Sequence, residues 1–433
     1  MQALPRTGTW PHAVSGPPHP PMIALAAFVP GHRALRWRWW LLALVVAPLL
    51  VSSQMASAQG GARDWGLDAL ARTRDAFRLP ESGLYAETAR PGNGSPSGPA
   101  FMWGCGVQLA ALAAAARLDR KAFQEPLRSY AQALQSYWSE YDGVAGYAVL
   151  PNQTKPDRYY DDNAWMVLAL CDAYDATRDR WYLRQAEATY RFVLSGEDDK
   201  LGGGLYWREQ VRRSKNTCAN APAIVSGLRL YMATRKRAYR QDAERLYQWT
   251  NAHLQDADGL YFDNIRLDGS VEKTKWSYNT GVMLKANCLL YQITKQDAYK
   301  KEAERIAAAA EARWVRPSDG AVADEGAFAY LLLDAFLSLY DVDRNEHWLQ
   351  LAGGALSYLH SSVRDPNGFY GHRWDAPNPS PLSEVKLLWQ ASAARAFLVA
   401  ARYPAPPNPA QPNSGSASVE GARSAGTEGA TVE

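Results

Sequence analysis

Two aspartates stand side by side in Arg158-Tyr159-Tyr160-Asp161-Asp162-Asn163-Ala164-Trp165, flanked by aromatic residues. Paired carboxylates suit hydrolysis of a glycosidic bond: one attacks as nucleophile, and the other, protonated, gives its proton to the leaving oxygen, with the two about 5–5.5 Å apart in retaining enzymes. Neighbours at the start of a helix reach roughly such a separation. A helix N-terminus favours ionised carboxylates, which suits the nucleophile and opposes the acid. The acid then needs burial or a charged neighbour to raise its pKa, and Tyr159, Tyr160 and Trp165 are at hand to bury it. The competing reading is a helix N-cap, a place where Asp is among the best residues. Residue types leave both readings open, and they do not say which aspartate takes which role.

The elements that must position this pair form a repeat. A Gly close to an aromatic residue or Ala recurs at Gly83-Leu84-Tyr85, Gly146-Tyr147, Gly204-Leu205-Tyr206, Gly259-Leu260-Tyr261, Gly320-Ala321 and Gly368-Phe369-Tyr370, with spacings of 63, 58, 55, 61 and 48 residues. A recurrence of this length marks a repeat architecture. Helical periodicity fills the intervals, and strand-like patterning is confined to a few residues around the Gly-aromatic turns. The expected helices are 64–77, 100–117, 121–140, 160–177, 179–195, 218–234, 237–255, 277–294, 296–315, 324–341, 345–362 and 383–402, two per repeat. Those beginning at 121, 179, 237, 296 and 345 carry a charged face, as in Lys300-Lys301-Glu302-x-Glu304-Arg305. The alternate set is apolar nearly all round, as in Leu331-Leu332-Leu333-Asp334-Ala335-Phe336, which means burial on every side. Six buried helices ringed by six amphipathic ones predict an all-α fold, an (α/α)6 barrel of six helical hairpins in a single domain. An open solenoid, the alternative, would leave its inner helices with an exposed end. Each long loop precedes a buried helix, so the loops and the starts of the inner helices gather at one end, where the cleft is expected.

Composition narrows the classes. Of 433 residues 47% are hydrophobic, enough for a large core. Residues 1–58 hold Arg6, Arg33, Arg36 and Arg38 and no acid, so the remainder has 43 basic against 44 acidic residues and offers no basic patch for nucleic acid. Residues 33–58 have the form of a secretory signal: basic residues, an apolar run over 39–51, and Ala56-Ser57-Ala58 as a small-x-small cleavage site. That run falls short of the ~20 residues a membrane span needs. Cleavage after Ala58, a periplasmic or secreted product and no stable membrane anchor are expected, whether translation begins at Met1 or at Met22. Residues 404–433 lack apolar periodicity and are expected to be a disordered tail, leaving 59–403 as the barrel. Cys105, Cys171, Cys218 and Cys288 each lie in an apolar helical segment and read as buried thiols, although export permits pairing. No C-x-x-C occurs, and Asp256-Ala257-Asp258-Gly259 followed by Asp263 misses calcium-loop spacing. No metal or cofactor is expected. Asp324-Glu325 imitates the aspartate pair but reads as a cap.

Gly202-Gly203-Gly204-Leu205-Tyr206-Trp207, Lys215-Asn216-Thr217-Cys218-Ala219-Asn220-Ala221-Pro222 and Tyr278-Asn279-Thr280-Gly281 join the aspartate pair in a pattern spread over about 60–400. With them the chain resembles glycoside hydrolase family 76. The resemblance implies a retaining endo-α-1,6-mannanase on an (α/α)6 barrel, with Asp161 as nucleophile and Asp162 as general acid/base. It also implies that Lys215, Asn216, Asn220, Tyr278 and Asn279, which precede or open inner helices, hydrogen-bond sugar hydroxyls, with local capping as the competing role. Tyr160 is expected to line the substrate, and Trp207, Trp276 and Trp103 are candidate platforms for a pyranose face. Thr280 departs from the Gln expected in that segment, which weakens its subsite. The expected partner is α-1,6-linked mannan or manno-oligosaccharide, met by a monomer. Two other readings are kept: an α-mannan-binding protein without turnover, and a transglycosidase that resolves the same intermediate with a sugar hydroxyl. A sugar epimerase is disfavoured because no paired His stands at inner-helix starts.

Overall fold

The computed structural model describes residues 61–92 and 96–404. The expected leader over 1–58, and the expected tail apart from Pro404, lie outside them. Twelve α-helices occur among the described residues: α1 (61–77), α2 (Met102–Leu118), α3 (Arg120–Ala133), α4 (Tyr160–Thr177), α5 (Arg180–Leu194), α6 (Thr217–Thr234), α7 (Arg237–Leu254), α8 (Ser277–Thr294), α9 (Asp297–Trp314), α10 (Gly326–Asp343), α11 (His347–Tyr358) and α12 (Leu387–Ala400). Seven short strands decorate them: β1 (Thr88–Ala89), β2 (Trp138–Tyr141), β3 (Val144–Tyr147), β4 (Ser214–Asn216), β5 (Asn264–Arg266), β6 (Val271–Glu272) and β7 (Val385–Lys386).

The even-numbered helices are those whose apolar residues run all round. They pack in sequence, α2 on α4, α4 on α6, α6 on α8, α8 on α10, α10 on α12, and α12 returns to α2. The ring is therefore closed, as the burial argument predicts. Small residues let the backbones meet: a Cβ on Gly281 of α8 would stand 2.9 Å from the Leu332 Cα of α10. The outer ring closes too, because α1 docks on the last hairpin through Arg364 on Asp68 (2.9 Å) and Trp65 stacked on His360.

Connections explain why one end holds the long loops. Helices α4, α6, α8 and α10 end on Arg178, Arg235, Lys295 and Arg344, all left-handed with φ of 59–61°. Such a cap ends a helix abruptly, and the outer helix begins two or three residues later. At the opposite end each outer helix runs into a glycine turn closed by a single bridge, Arg78 to Tyr85, Glu197 to Leu205, Gln255 to Tyr261, Val315 to Val322 and Arg364 to Tyr370. In the second repeat the corresponding turn is a hairpin, β2–β3, joined by Asp142-Gly143 at φ of 52° and 74°. Two successive positive φ values suit the strand twist of a two-residue hairpin. The turn glycine there is thus Gly143 rather than Gly146, which makes the first two spacings 60 and 61. The hairpin also shortens the helix expected over 121–140, since aromatic Trp138 and Tyr141 prefer a strand beside an Asp-Gly turn. The helix expected from 383 starts at Leu387 because β7 pairs with β1 and joins the first loop to the last.

A side-chain device recurs at the fourth residue of the inner helices. Asn163 of α4 accepts from Tyr147 N–H (2.8 Å) and donates to the Tyr147 carbonyl (2.9 Å). Asn220 of α6 does the same to Leu205 (2.9 and 3.2 Å), and Gln390 of α12 to Tyr370 (2.8 and 2.9 Å). Each amide pairs with a backbone N–H and C=O at once, which fixes the glycine turn to the helix start beside it.

Candidate active site

Helix α4 begins at Tyr160, and Tyr159, in extended conformation, is its N-cap without a side-chain capping bond. Asp161 and Asp162 therefore lie within the first turn instead of capping it. Their surroundings differ. Asp161 Oδ1 accepts the Asp162 N–H (2.9 Å) and Oδ2 accepts the Trp207 Nε1–H (2.8 Å). The Asp162 carboxylate makes no hydrogen bond among the described residues. Cys218 and Tyr278 hold on α6 and α8 the second-residue place that Asp161 holds on α4, and the Cys218 thiol reaches Asp161 while the Tyr278 hydroxyl reaches Cys218.

These contacts set the electrostatics. Desolvation of the half-buried Asp161 raises its carboxyl to about 6, against the relief supplied by Trp207, the Asp162 N–H and Cys218. Asp162 is pushed well above the carboxylate range, first by burial and then by the charges of Asp161 and Asp157, with no donor to offset them. Burial also raises the Cys218 thiol and the Tyr278 hydroxyl, so both stay protonated donors. A third carboxylate, Asp263, takes a hydrogen bond from Asn264 Nδ2 (2.7 Å), and burial raises its pKa as well.

The expected substrate residues divide. Trp207 is 41% exposed and lies edge-on to Tyr159, open to a ligand on its other side. Tyr278 stacks on Phe328, and Asn279 is fully buried beside Asp263. Asn216, nearly buried, accepts from Ser214 Oγ (2.7 Å). Three expectations are corrected. Lys215 is fully buried, and its Nζ is spent on Asp198 Oδ1 (2.7 Å) and the carbonyls of Lys200 (2.6 Å) and Gly203 (2.5 Å). Asn220 is the turn clamp already described. Tyr160 turns outward onto Phe192, and its hydroxyl accepts from Arg212 (3.0 Å). The Lys215 ammonium and the Asn220 amide are thereby engaged, and the Tyr160 hydroxyl is turned to Arg212. Trp103 and Trp276 pack around Phe328 at one side of the mouth. Thr280 accepts from Tyr261 N–H (3.2 Å), so it too occupies a clamp position and not a subsite.

Residue types gave little warning of Cys218, Phe328 and Asp263. The usable signal was position: Cys218 and Phe328 fall in the first turn of inner helices, at the end where the long loops gather. Asp324, set aside as a cap, does cap a helix, but its neighbour's: it accepts the Ser277 N–H that opens α8 (2.9 Å). His372 Nε2 lies 2.8 Å from a Glu325 carboxylate oxygen. All four cysteines are free and buried. Among the described residues no group of His, Cys, Asp or Glu is placed to hold a metal, and no helix is long and apolar enough to cross a membrane.

Comparison with known proteins adds to this geometry. Residues 84–330 match the sequence model of glycosyl hydrolase family 76. A GH76 alpha-mannanase of Bacteroides thetaiotaomicron is 33% identical in sequence and superposes with a TM-score of 0.76 over 81% of this chain and 98% of its own. An inactive variant of an alpha-1,6-mannanase of Salegentibacter sp., in complex with alpha-1,6-mannotriose, shares the fold at 20% identity and a TM-score of 0.68, covering 79% and 99%. The mannan endo-1,6-alpha-mannosidase DCW1 of Candida glabrata is 30% identical over 158 residues, 32% of this chain and 35% of that protein. The matched segment thus spans about a third of the length of such curated relatives.

Proposed function

The chain belongs to glycosyl hydrolase family 76, and on that premise we propose that it cleaves internal α-1,6-mannosidic bonds with retention, using Asp161 as nucleophile and Asp162 as general acid/base. The observation that carries the assignment of roles is the unequal hydrogen bonding of the two carboxylates. Asp161 accepts two N–H donors and sits near a thiol, which favour its charged form; Asp162 accepts none and faces the Asp161 charge, which favours its neutral form. The pair therefore offers an anion and an acid at the same pH, as the two steps require. In the first, an Asp161 oxygen bonds to the anomeric carbon while the glycosidic C–O bond breaks and the departing oxygen takes the Asp162 proton. In the second, Asp162, now charged, removes a proton from water; the hydroxyl oxygen bonds to the anomeric carbon and Asp161 leaves as carboxylate.

The linkage follows from the activities of the relatives, a mannan endo-1,6-alpha-mannosidase and an alpha-mannanase. Trp207 supplies an aromatic face beside Asp161 for a sugar ring, and Tyr278 and Asn279 supply polar groups on α8. The reading includes export by the signal-like segment over 33–58, a catalytic unit over 59–403 acting as a monomer, and no membrane anchor.

Digestion of linear α-1,6-mannan by the purified protein, followed by reducing-end release and product size, tests it. Oligosaccharides from the wild type, with Asp161→Asn and Asp162→Asn folded but silent, are expected. Binding without release would point to the non-catalytic reading, and, with manno-oligosaccharides as substrate, products longer than the substrate would point to transglycosylation.

A further inference from the structure

The segment leading into α4 and the segment that carries Trp207 run antiparallel. The Tyr160 N–H donates to the Trp207 carbonyl (2.9 Å), the Glu209 N–H donates to the Arg158 carbonyl (3.1 Å), and Tyr159 bridges Arg208. Two side-chain forks reinforce this short ladder. Arg208 Nε and Nη2 donate to the two oxygens of Asp157 (2.8 and 2.9 Å). Arg158 Nε and Nη2 donate to the two oxygens of Glu209 (2.8 and 2.6 Å). Arg158 is fully buried against the Phe192 ring, and its remaining N–H groups donate to the Val144 (2.7 Å), Ser139 and Tyr141 carbonyls (both 3.2 Å) of the β2–β3 hairpin.

We propose that the Asp157–Arg208 and Arg158–Glu209 forks are positioning residues that lock the register of these two segments and thereby hold the Trp207 indole N–H on Asp161. A buried ion pair is weak evidence for stability, since well-packed apolar residues serve as well. What a bidentate pair adds is direction. In a strand pair a slip of one residue turns every side chain to the opposite face, which here would carry the Trp207 indole away from Asp161. Two forks with donors and acceptors exchanged between the segments, Asp and Arg on one and Arg and Glu on the other, match in one register only. The clamp has a second output, because the Asp157 carboxylate it holds in place is one of the charges that oppose ionisation of Asp162.

Facing the acid pair are Asp157 and Tyr159 from the lead-in, Trp207 from the opposite segment, Cys105 from α2, Cys218 from α6 and Tyr278 from α8, while Asp263, from the loop before α8, acts on Cys218 and Tyr278. Of these, Asp157 and Asp263 are the carboxylates, and Asp157 alone lies in a fork. The two outputs of the clamp therefore act on different limbs of a pH profile.

The roles of Asp161 and Asp162 used here rest on the proposed mannanase reading, so the test has a readout with turnover and one without. In kcat/KM against pH on α-1,6-mannan, Asp157→Asn should move the basic limb down by about half a unit or more, because a charge next to the acid is removed, and should also move the acidic limb up, because the Arg208 fork is lost with it. Glu209→Gln should move the acidic limb up, as Trp207 loosens from Asp161. Arg158→Lys, which keeps the charge and loses the fork, should behave like Glu209→Gln. The same titrations are read without substrate from the pH dependence of Trp207 fluorescence, taken as the difference from Trp207→Phe. Limbs and fluorescence titrations that stay in place while Tm alone falls would overturn the proposal and leave the forks purely structural, as would a wild-type pH profile in Arg158→Lys. A wild type that releases nothing from mannan would sink the mannanase reading, while the fluorescence titrations would still decide the clamp.

Discussion

Replacing Trp207 by Phe removes one hydrogen-bond donor from Asp161 and leaves an aromatic ring in place, so it isolates the electrostatic contribution of the indole N–H. The bond is 2.8 Å long and ends on a carboxylate, a class worth about 1.5–3 kcal/mol. Because the indole is 41% exposed, solvent replaces part of the lost donor, and the lower end applies. At 1.36 kcal/mol per unit, about 1.5 kcal/mol corresponds to a rise of roughly one pKa unit, from about 6 to about 7. The sign follows from the role: a nucleophile must be ionised, so raising its pKa moves the acidic limb of kcat/KM upward. On the acid side activity should fall about tenfold relative to wild type, with little change where Asp161 is already ionised in both. The assay is reducing-end release from α-1,6-mannan between about pH 4 and 9. An acidic limb that does not move would refute the reasoning. A uniform loss at every pH would show instead that the indole acts as a sugar platform.

Three further outcomes are expected. Asp161→Asn should be more heat-stable than wild type at neutral pH. The native carboxyl titrates near 6 and the unfolded one near 3.8, so the native state holds its proton more tightly and its stability falls as pH rises through that window. The gain is at most about 3 kcal/mol, absent below the unfolded pKa, and Tm measured against pH for both proteins checks it. Thr280→Gln should raise stability by about 1 kcal/mol: Thr280 makes only the N–H half of the clamp on Tyr261, whereas Gln390 makes both halves on Tyr370, which likewise sits two residues after its turn glycine. A Tm unchanged or lowered would mean the longer side chain does not fit. Lys215→Met should cost about 3–5 kcal/mol, because Asp198 and two carbonyls lose their buried cation; denaturant unfolding reads the loss, and a cost under 1 kcal/mol would contradict it.

The fold was legible because it is written in period and polarity. Alternating all-apolar and amphipathic helices, with a turn glycine about every 57 residues, admit few arrangements other than concentric rings, and the long loops before each inner helix locate the mouth. The placement of Asp161 and Asp162 in the first turn of an inner helix was legible for the same reason, since topology had already marked the end where the inner helices start. Where local strand preference competed with helical period, as at Trp138 to Tyr147, the helix pattern ran too far and took the wrong glycine as the turn.

Sequence could not assign the polar residues around the pair, because Lys215, Asn220 and Asn279 look alike in a string: each is a polar side chain near the start of an inner helix. What separates them is which way the backbone turns them and what is left to bond. Lys215 and Asn220 face loop carbonyls and are saturated, Tyr160 faces an outer helix, and Asn279 turns inward beside Asp263. The difference between Asp161 and Asp162 is likewise tertiary. Two identical carboxyls one residue apart are raised unequally, because a tryptophan 46 positions away donates to one of them and, among the described residues, nothing donates to the other. Period and composition act through neighbours in sequence and survive in the chain as written. Hydrogen-bond satisfaction and burial act through neighbours in space, and exist only once the rings have closed.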